Sequence, residues 1–506
     1  MASKPNVVKI FSSFAAGTTV YIASVEVSIS PGIPSYSVIG QCDSSIKESQ
    51  GRLKSAFKSC GFTMPKGHIT VGISPAYMKK AGTSFDLPIA LGILFASGQL
   101  YLPADKKIYA EGELTLSGEL KGTPGSCIRL GALKGLDYSY KIIPQSESKS
   151  AGLAGFTGQA VSYLSDLNVI FDGNQYKEDT FEFCDIKTDT DLLDISMLKG
   201  QEKTKRALLI CAAGFHNILL MGSPGCGKTM AGKILAGILP KLSKDEIANV
   251  YAVSELVQGE DARINDTRPV RIIGPEITSG KLIGDSISMM PGELALANHG
   301  ILFADELPLY KTEIIDLLKQ PLESQCLRMT KRGITYSYDC KFIFLGTGNP
   351  CRCGMLYENG SKCRCTETSI KKYQSKITGP FMDRIDLFSE MRSISGNDMA
   401  EIYIGDSLGE SIDYRKRVED CWQIQHERNG YFCFNGHFDD EAIRELWSIP
   451  EKVIRFASEI SEKGFFSARG FTRLIRVART IADLSGRTDI TEDDVSEASQ
   501  FRYLGR

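Results

Sequence analysis

The sequence predicts an α/β protein of several domains that ends in an α-helical region, and three observations carry that prediction. A short apolar run, Ile218-Leu219-Leu220-Met221, passes directly into a glycine-rich turn and a helix start, which is the strand–turn–helix order of a phosphate-binding loop. Two later apolar runs, Gly300 to Ala304 and Phe342 to Leu345, lack polar alternation and end in polar residues, as strands of a parallel sheet buried on both faces do. From residue 392 onward the apolar spacing is that of helices. At 506 residues the chain is too long for one core and suggests two to four domains.

Residues 1–171 read as an α/β domain. Thr19 to Ile29 alternates like a strand, Ser44 to Cys60 has helical spacing with charges outside, and Ile69 to Ile73 is a further strand. Lys79 to Leu100 reads as a polar turn, then a buried helix with Pro88 in its first turn. Ile108 to Leu120 follows as strand–turn–strand. Residues 172–195 turn acidic and lose periodicity, as a solvated linker does.

Residues 196–391 carry the chemistry. Gly222-Ser223-Pro224-Gly225-Cys226-Gly227-Lys228-Thr229 fits G-x-x-x-x-G-K-[ST] at every fixed position. Its glycines let successive N–H groups turn onto an anion at the positive end of the following helix. Lys228 would reach the outer phosphates of ATP, and Thr229 would hold magnesium. The apolar strand after Gly300 ends in Asp305 and Glu306. Strand-end acids are commonly mere caps, but beside a phosphate loop Asp305 would hold Mg2+ and Glu306 would orient and deprotonate water. Asn349, at the end of the next strand, falls near the terminal phosphate on the same argument.

Between those strands Cys326 to Tyr338 reads as a hairpin tipped by Lys331 and Arg332. Such a tip is usually just solvated; here its position suggests that it follows the nucleotide state. Cys351, Cys353, Cys363 and Cys365 form two C-x-C pairs across a nine-residue spacer, which suits tetrahedral zinc or leaves four free thiols in a loop. In residues 392–506, helices are expected around Tyr414 to Arg428, Asp439 to Ser448, Pro450 to Lys463 and Ser467 to Leu484. Arg469, Arg473, Arg476 and Arg479 fall broadly on one face of the last, a solvated surface or a phosphate contact.

Composition sets bounds. Hydrophobic residues at 42% and charged ones at 24% are ordinary globular values. With a formal net charge of −2, any nucleic-acid contact must come from local basic patches. The N-terminus MASKPNVVKIFSS has no apolar core like that of a signal peptide, and no apolar stretch approaches the ~18 residues of a membrane span. The expectation is a cytoplasmic protein with its 14 cysteines largely reduced and no membrane partner.

These motifs, in this order, resemble the magnesium-chelatase-like AAA+ family, in its competence-associated ComM type with a Lon-protease-like N-terminal domain. The N-terminal marks are Ile46-Lys-Glu-Ser-Gln-Gly-Arg52, Ser84 to Leu94 (SFDLPIALGIL) and Gly112 to Leu120 (GELTLSGEL). Central marks are the phosphate loop, Pro291 to Pro308, Gln320 to Ser324 (QPLES), Asn349 to Gly354 (NPCRCG) and Gly379 to Leu387 (GPFMDRIDL); SARGFTRLIRVARTIADL closes the set. The resemblance implies a hexameric ring with ATP between subunits. Lys228 and Thr229 match Walker A, Asp305 and Glu306 Walker B, Asn349 the first sensor, Arg384 the arginine finger and Arg469 the second sensor. Residues 261–290 resemble the helix-2 insert and Lys331-Arg332 the pre-sensor hairpin, both projecting into the ring channel where related motors grip DNA. Ser84 falls near the Lon nucleophile, but Arg129 stands where the protease has its lysine. An arginine stays protonated and cannot serve as general base, so proteolysis is not expected. Where the family reads RPFR-x-PHHT, this chain has Arg268-Pro-Val-Arg-Ile-Ile-Gly-Pro275-Glu276 and lacks the paired histidines.

The resemblance implies an ATP-driven helicase or branch-migration factor acting on single-stranded or branched DNA, with recombination proteins, during natural transformation. The alternative is a chelatase-type ATPase that remodels a protein partner. The cysteine cluster and the Lon-like front domain favour the first.

Overall fold

The computed structural model describes residues 7–502, apart from 174, 183–185, 189–191, 286–287, 332–333, 359–362, 378, 394–408, 431–432 and 465. Its N-terminal sheet orders eight strands as 179–180, 157–161, 140–144, 108–110, 8–16, 19–30, 68–74 and 35–39. Val8–Ala16 and Thr19–Ser30 pair antiparallel through a tight turn at Gly17, whose φ of +60° suits glycine. The helix Asp86–Ser97 lies on this sheet with every residue but the last buried, so it carries no amphipathic stripe. Gly92 makes that approach possible, because a Cβ there would meet Val27 at 2.4 Å.

The acidic segment expected as a solvated linker is more engaged than its composition suggests. Asp179–Thr180 adds an edge strand to the N-terminal sheet, and Lys187 bridges to Asn265. Backbone pairing needs no particular side chain, which is why an acidic, aperiodic stretch concealed it.

A second sheet of five parallel strands follows, ordered 270–273, 301–304, 343–348, 218–222 and 387–391. Successive residues of each strand enter different cores. Ile218, Leu220, Ile301, Phe303 and Leu345 face helices Glu202–Gly214 and Lys228–Ile238, whereas Leu219, Leu302, Ala304 and Phe344 face helix Thr312–Ser324. Apolar side chains are therefore required at consecutive positions. Val270–Ile273 belongs to this sheet, so the insert-like part of residues 261–290 narrows to helix Ser279–Ile283 and the ribbon Gly284–Asp285 with Met290–Pro291.

The C-terminal helices are Glu410–Asn429, Asp440–Leu446, Glu451–Lys463, Ala468–Leu484 and Glu492–Ser499. Val418, Trp422, Leu474 and Ile481 share one buried cluster with Leu208, Ile218 and Leu235, so this helical region packs onto the sheet's own core. Asp386 joins the two electrostatically. Burial works to raise its pKa, but Arg473 at 2.7 Å and His216 hold it well below the carboxylate range.

Candidate nucleotide site

The phosphate loop, the Asp305–Glu306 pair and Asn349 all stand at the carboxyl ends of neighbouring parallel strands. Gly222 ends its strand against Met391, whose carbonyl oxygen would lie 2.4 Å from any Cβ added there. Gly225 and Gly227 take φ of +79° and +92°, which turns the loop into the helix beginning at Lys228. The Lys228 ammonium donates to Gly222 O at 2.7 Å, Ser223 O at 2.8 Å and Asn349 Oδ1 at 3.1 Å. Lys228 and Asn349 are thus brought together. Thr229 is exposed on the helix's first turn, while Cys226 is buried, which pushes its thiol up.

Asp305 and Glu306 are fixed by a residue that sequence reading passed over. The Thr347 hydroxyl donates to Asp305 Oδ1 at 2.5 Å and accepts the Glu306 N–H at 3.2 Å. Glu306 sits at φ 54°, ψ 44°, left-handed backbone that a non-glycine residue adopts at a cost of order 1–3 kcal/mol. Tyr310 packs behind the pair, donating to Ile273 O at 2.6 Å. Burial, then the charges of Asp305, Glu276 and Glu306, push its phenol far above the usual range. Glu276, beyond the Arg268-Pro-Val-Arg stretch, is therefore a third acid in this neighbourhood. The donor set fits a magnesium nucleotide: an ammonium and inward-turned amides for phosphate, and a hydroxyl and a carboxylate for a hard divalent cation.

Arg384 and Arg469 meet elsewhere. Both pair with Glu323 at 2.6 Å, and Arg384 also donates to Lys319 O at 2.8 Å and to Pro380 O at 2.5 Å. Arg469 is half exposed, at 53%. The expected basic face of its helix is overturned: Arg473 and Arg479 are buried against Asp386 and Asp483, and Arg476 donates to Gly436 O. Asp386, the partner of Arg473, lies 87 residues away in sequence, whereas Asp483 stands one turn beyond Arg479 on the same helix.

The four cysteine sulfurs lie within 4.8 Å of one another. Lys331 ends the strand Cys326–Lys331, whereas Arg332 lies outside the described residues. In the N-terminal region Arg129 binds Glu111 at 3.1 Å, Glu147 at 3.7 Å and the Thr123 hydroxyl at 2.6 Å, so its guanidinium serves a buried ion network. Among the described residues no helix is long and apolar enough to cross a membrane.

Three family models match the chain: "Magnesium chelatase, subunit ChlI" over residues 194–399, "Subunit ChlI of Mg-chelatase" over 25–147, and "Magnesium chelatase, subunit ChlI C-terminal" over 409–502. The competence protein ComM of Haemophilus influenzae is 31% identical across 98% of this chain and 97% of its own. An uncharacterized protein of Escherichia coli, YifB, is 31% identical across 96% and 94%. The chloroplastic magnesium-chelatase subunit ChlI of Glycine max is 21% identical across 68% and 81%. With its parallel α/β sheet, its C-terminal helices and full-length relatives at this identity, the chain belongs to the magnesium-chelatase-like AAA+ family, in the ComM type.

Proposed function

We propose that this protein is an ATP-hydrolysing AAA+ motor that acts on DNA, as a helicase or branch-migration factor in recombination during natural transformation. The observation that carries the ATPase reading is the convergence of Lys228 with Asn349, and of Asp305 with Glu306 through Thr347, at the carboxyl ends of neighbouring strands. Lys228 and the loop amides would hold the phosphates, and Thr229 with Asp305 would hold magnesium, which supplies charge neutralisation when bound. Glu306 would orient the attacking water and accept its proton. Asn349, already bonded to Lys228, would sense the terminal phosphate. Arg384, joined to Arg469 at Glu323, would serve as the arginine finger for a neighbouring subunit's nucleotide in a homo-hexamer, and Arg469 as the second sensor.

The DNA reading rests on the name of the competence relative and on Lys331, which ends the first strand of a hairpin, with Arg332 next to it in sequence. We divide the chain into a Lon-like N-terminal domain (1–171), a connector (172–195), an ATPase core (196–391) and a helical lid (392–506). A chelatase-type remodeller of a protein partner is the second reading, favoured by the match to the chloroplast subunit. ATP turnover measured with and without single-stranded or branched DNA separates the two. Stimulation by DNA supports the motor, and a rate indifferent to every DNA form refutes it.

A further inference from the structure

We propose that Cys351, Cys353, Cys363 and Cys365 bind one zinc ion as a tetrathiolate, and that this ion locks a loop which braces the phosphate loop. The sulfurs of Cys351, Cys353 and Cys363 are 3.4, 3.7 and 3.6 Å apart, and Cys365 completes a group whose members all lie within 4.8 Å. Four sulfurs at about 2.3 Å from a tetrahedral ion would stand roughly 3.8 Å from one another. A disulfide requires about 2.05 Å, so these distances suit a shared metal and not a bond. A polynuclear iron–sulfur cluster is too large for this group, because bridging sulfides and further irons would stand between the cysteines. Backbone N–H groups of Met355 and Arg364 point at the Cys353 sulfur, and that of Leu356 at Cys351. Such donors stabilise thiolate ligands and fix their direction.

The loop so closed touches the phosphate loop at two places. Gly354 has φ +77°, and a Cβ there would fall 2.4 Å from Pro224 of the phosphate loop, so the two backbones are in close packing. Glu358 accepts from the hydroxyl of Ser223, the second residue of the phosphate loop, and from Ser393 Oγ at 2.5 Å and Ser393 N at 3.1 Å. Asn349, the partner of Lys228, stands two residues before Cys351. Among its described residues this loop carries no helix or strand. A metal crosslink between its two ends supplies the rigidity, which preorganises Ser223 and Pro224 for the phosphates.

The effect on nucleotide binding rests on the ATPase reading above, whereas the zinc site does not. The full-length protein, purified without chelators, is assayed for metal by mass spectrometry. About one zinc per chain is expected, and protein produced in cobalt medium should show the visible bands of tetrahedral cobalt thiolate. Zinc well below stoichiometry, iron in its place, or absence of those bands overturns the proposal without any variant having to fold. The double variant Cys363→Ser with Cys365→Ser should lose the metal and bind a fluorescent ATP analogue about tenfold more weakly. Cys60→Ser, outside the cluster, should change neither quantity. Metal loss with unaltered affinity overturns the brace. Wild-type protein that holds zinc but binds no nucleotide would sink the ATPase reading and leave the metal site standing.

Discussion

Replacing Thr347 with valine tests whether the geometry of the acidic pair controls turnover. The hydroxyl is buried and serves two groups at once, donating to Asp305 Oδ1 at 2.5 Å and accepting the Glu306 N–H at 3.2 Å. A hydrogen bond to a charged carboxylate contributes about 1.5–3 kcal/mol, and an N–H left without its acceptor costs about 1–3 kcal/mol. Valine fills nearly the same volume, so the packing around this buried position survives. The loss falls on orientation. Glu306 holds left-handed backbone at φ 54°, and the Thr347 bond to its N–H is part of what keeps it there. A displacement of about 1 Å at a catalytic group can slow a reaction roughly 10²-fold. Steady-state ATPase of Thr347→Val should therefore fall by about two orders of magnitude, with affinity for a fluorescent ATP analogue changed much less. Thr347→Ser restores the hydroxyl and should recover most of the rate. A valine variant that melts like the wild type and turns over within threefold of it would refute the reasoning.

Glu306→Gln should still bind nucleotide but hydrolyse it roughly 10²-fold or more slowly, because the amide cannot take a proton from water; single-turnover hydrolysis at the wild-type rate would remove Glu306 as the base. Glu323→Ala releases Arg384 and Arg469 together; stability should shift by no more than about 1 kcal/mol, since Glu323 and Arg469 are half exposed and the buried Arg384 keeps Lys319 O and Pro380 O as acceptors, while ATPase should drop several-fold if those arginines must be held in place. Acid should destabilise the fold, with a sign fixed by two groups. His437 is pulled to about 3 by burial and by nearby Lys341 and Arg476. Burial works to raise Glu246, but His299 and Arg268 outweigh it and bring the carboxyl to about 2. Both bind protons more weakly folded than unfolded, so stability is lost as pH falls: from about 6.5 toward 3 for His437 and from about 4.5 toward 2 for Glu246. The Glu246 contribution is about 3 kcal/mol. Thermal melts from pH 7 down to about 2.5 should show a steady decline, and Glu246→Gln should flatten the part below about pH 4.5; a pH-independent melting temperature would contradict both assignments.

The parallel strands were legible because burial on both faces demands consecutive apolar residues, as Ile218 to Met221 display. The phosphate loop was legible because its chemistry requires fixed residue types at fixed spacing. Thr347 was not, since a threonine in an apolar strand is ordinary and nothing local marks what its hydroxyl meets. The same blindness misled the reading of the arginines. Periodicity placed Arg473 and Arg479 on one face, but whether that face is solvated depends on Asp386, which the fold alone brings opposite Arg473; only Asp483, one turn from Arg479 on the same helix, stood within reach of the spacing. The cysteine spacing revealed a cluster and not its seat against Pro224.

The hairpin Cys326–Lys331 with Ile334–Asp339 is held from two sides, and this limits how it can move. On one side the N-terminal turn reaches it: Thr18 donates both its N–H, at 3.3 Å, and its hydroxyl, at 2.6 Å, to Ser337 O, while a Cβ on Gly17 would meet Tyr336 at 2.9 Å. On the other, the Tyr338 hydroxyl donates to the carbonyl of Met289 beside the ribbon of Gly284–Asp285 with Met290–Pro291. Ala16, Val253, Ala295, Tyr336 and Tyr338 form one buried cluster across all these parts. Helix Lys244–Gln258, which supplies Val253, is itself tied back to the N-terminal region. Its buried Glu255 accepts from Ser126 Oγ at 2.7 Å, Ser150 Oγ at 2.6 Å and Cys127 N at 2.9 Å. The contacts therefore close a circuit from N-terminal turn to hairpin, ribbon, helix and back. The Glu255 bonds are buried and charged, whereas the Thr18 bonds to Ser337 are partly open to water and individually weaker. A shift of the hairpin against the parallel sheet must then either carry the N-terminal region with it or part first at Thr18.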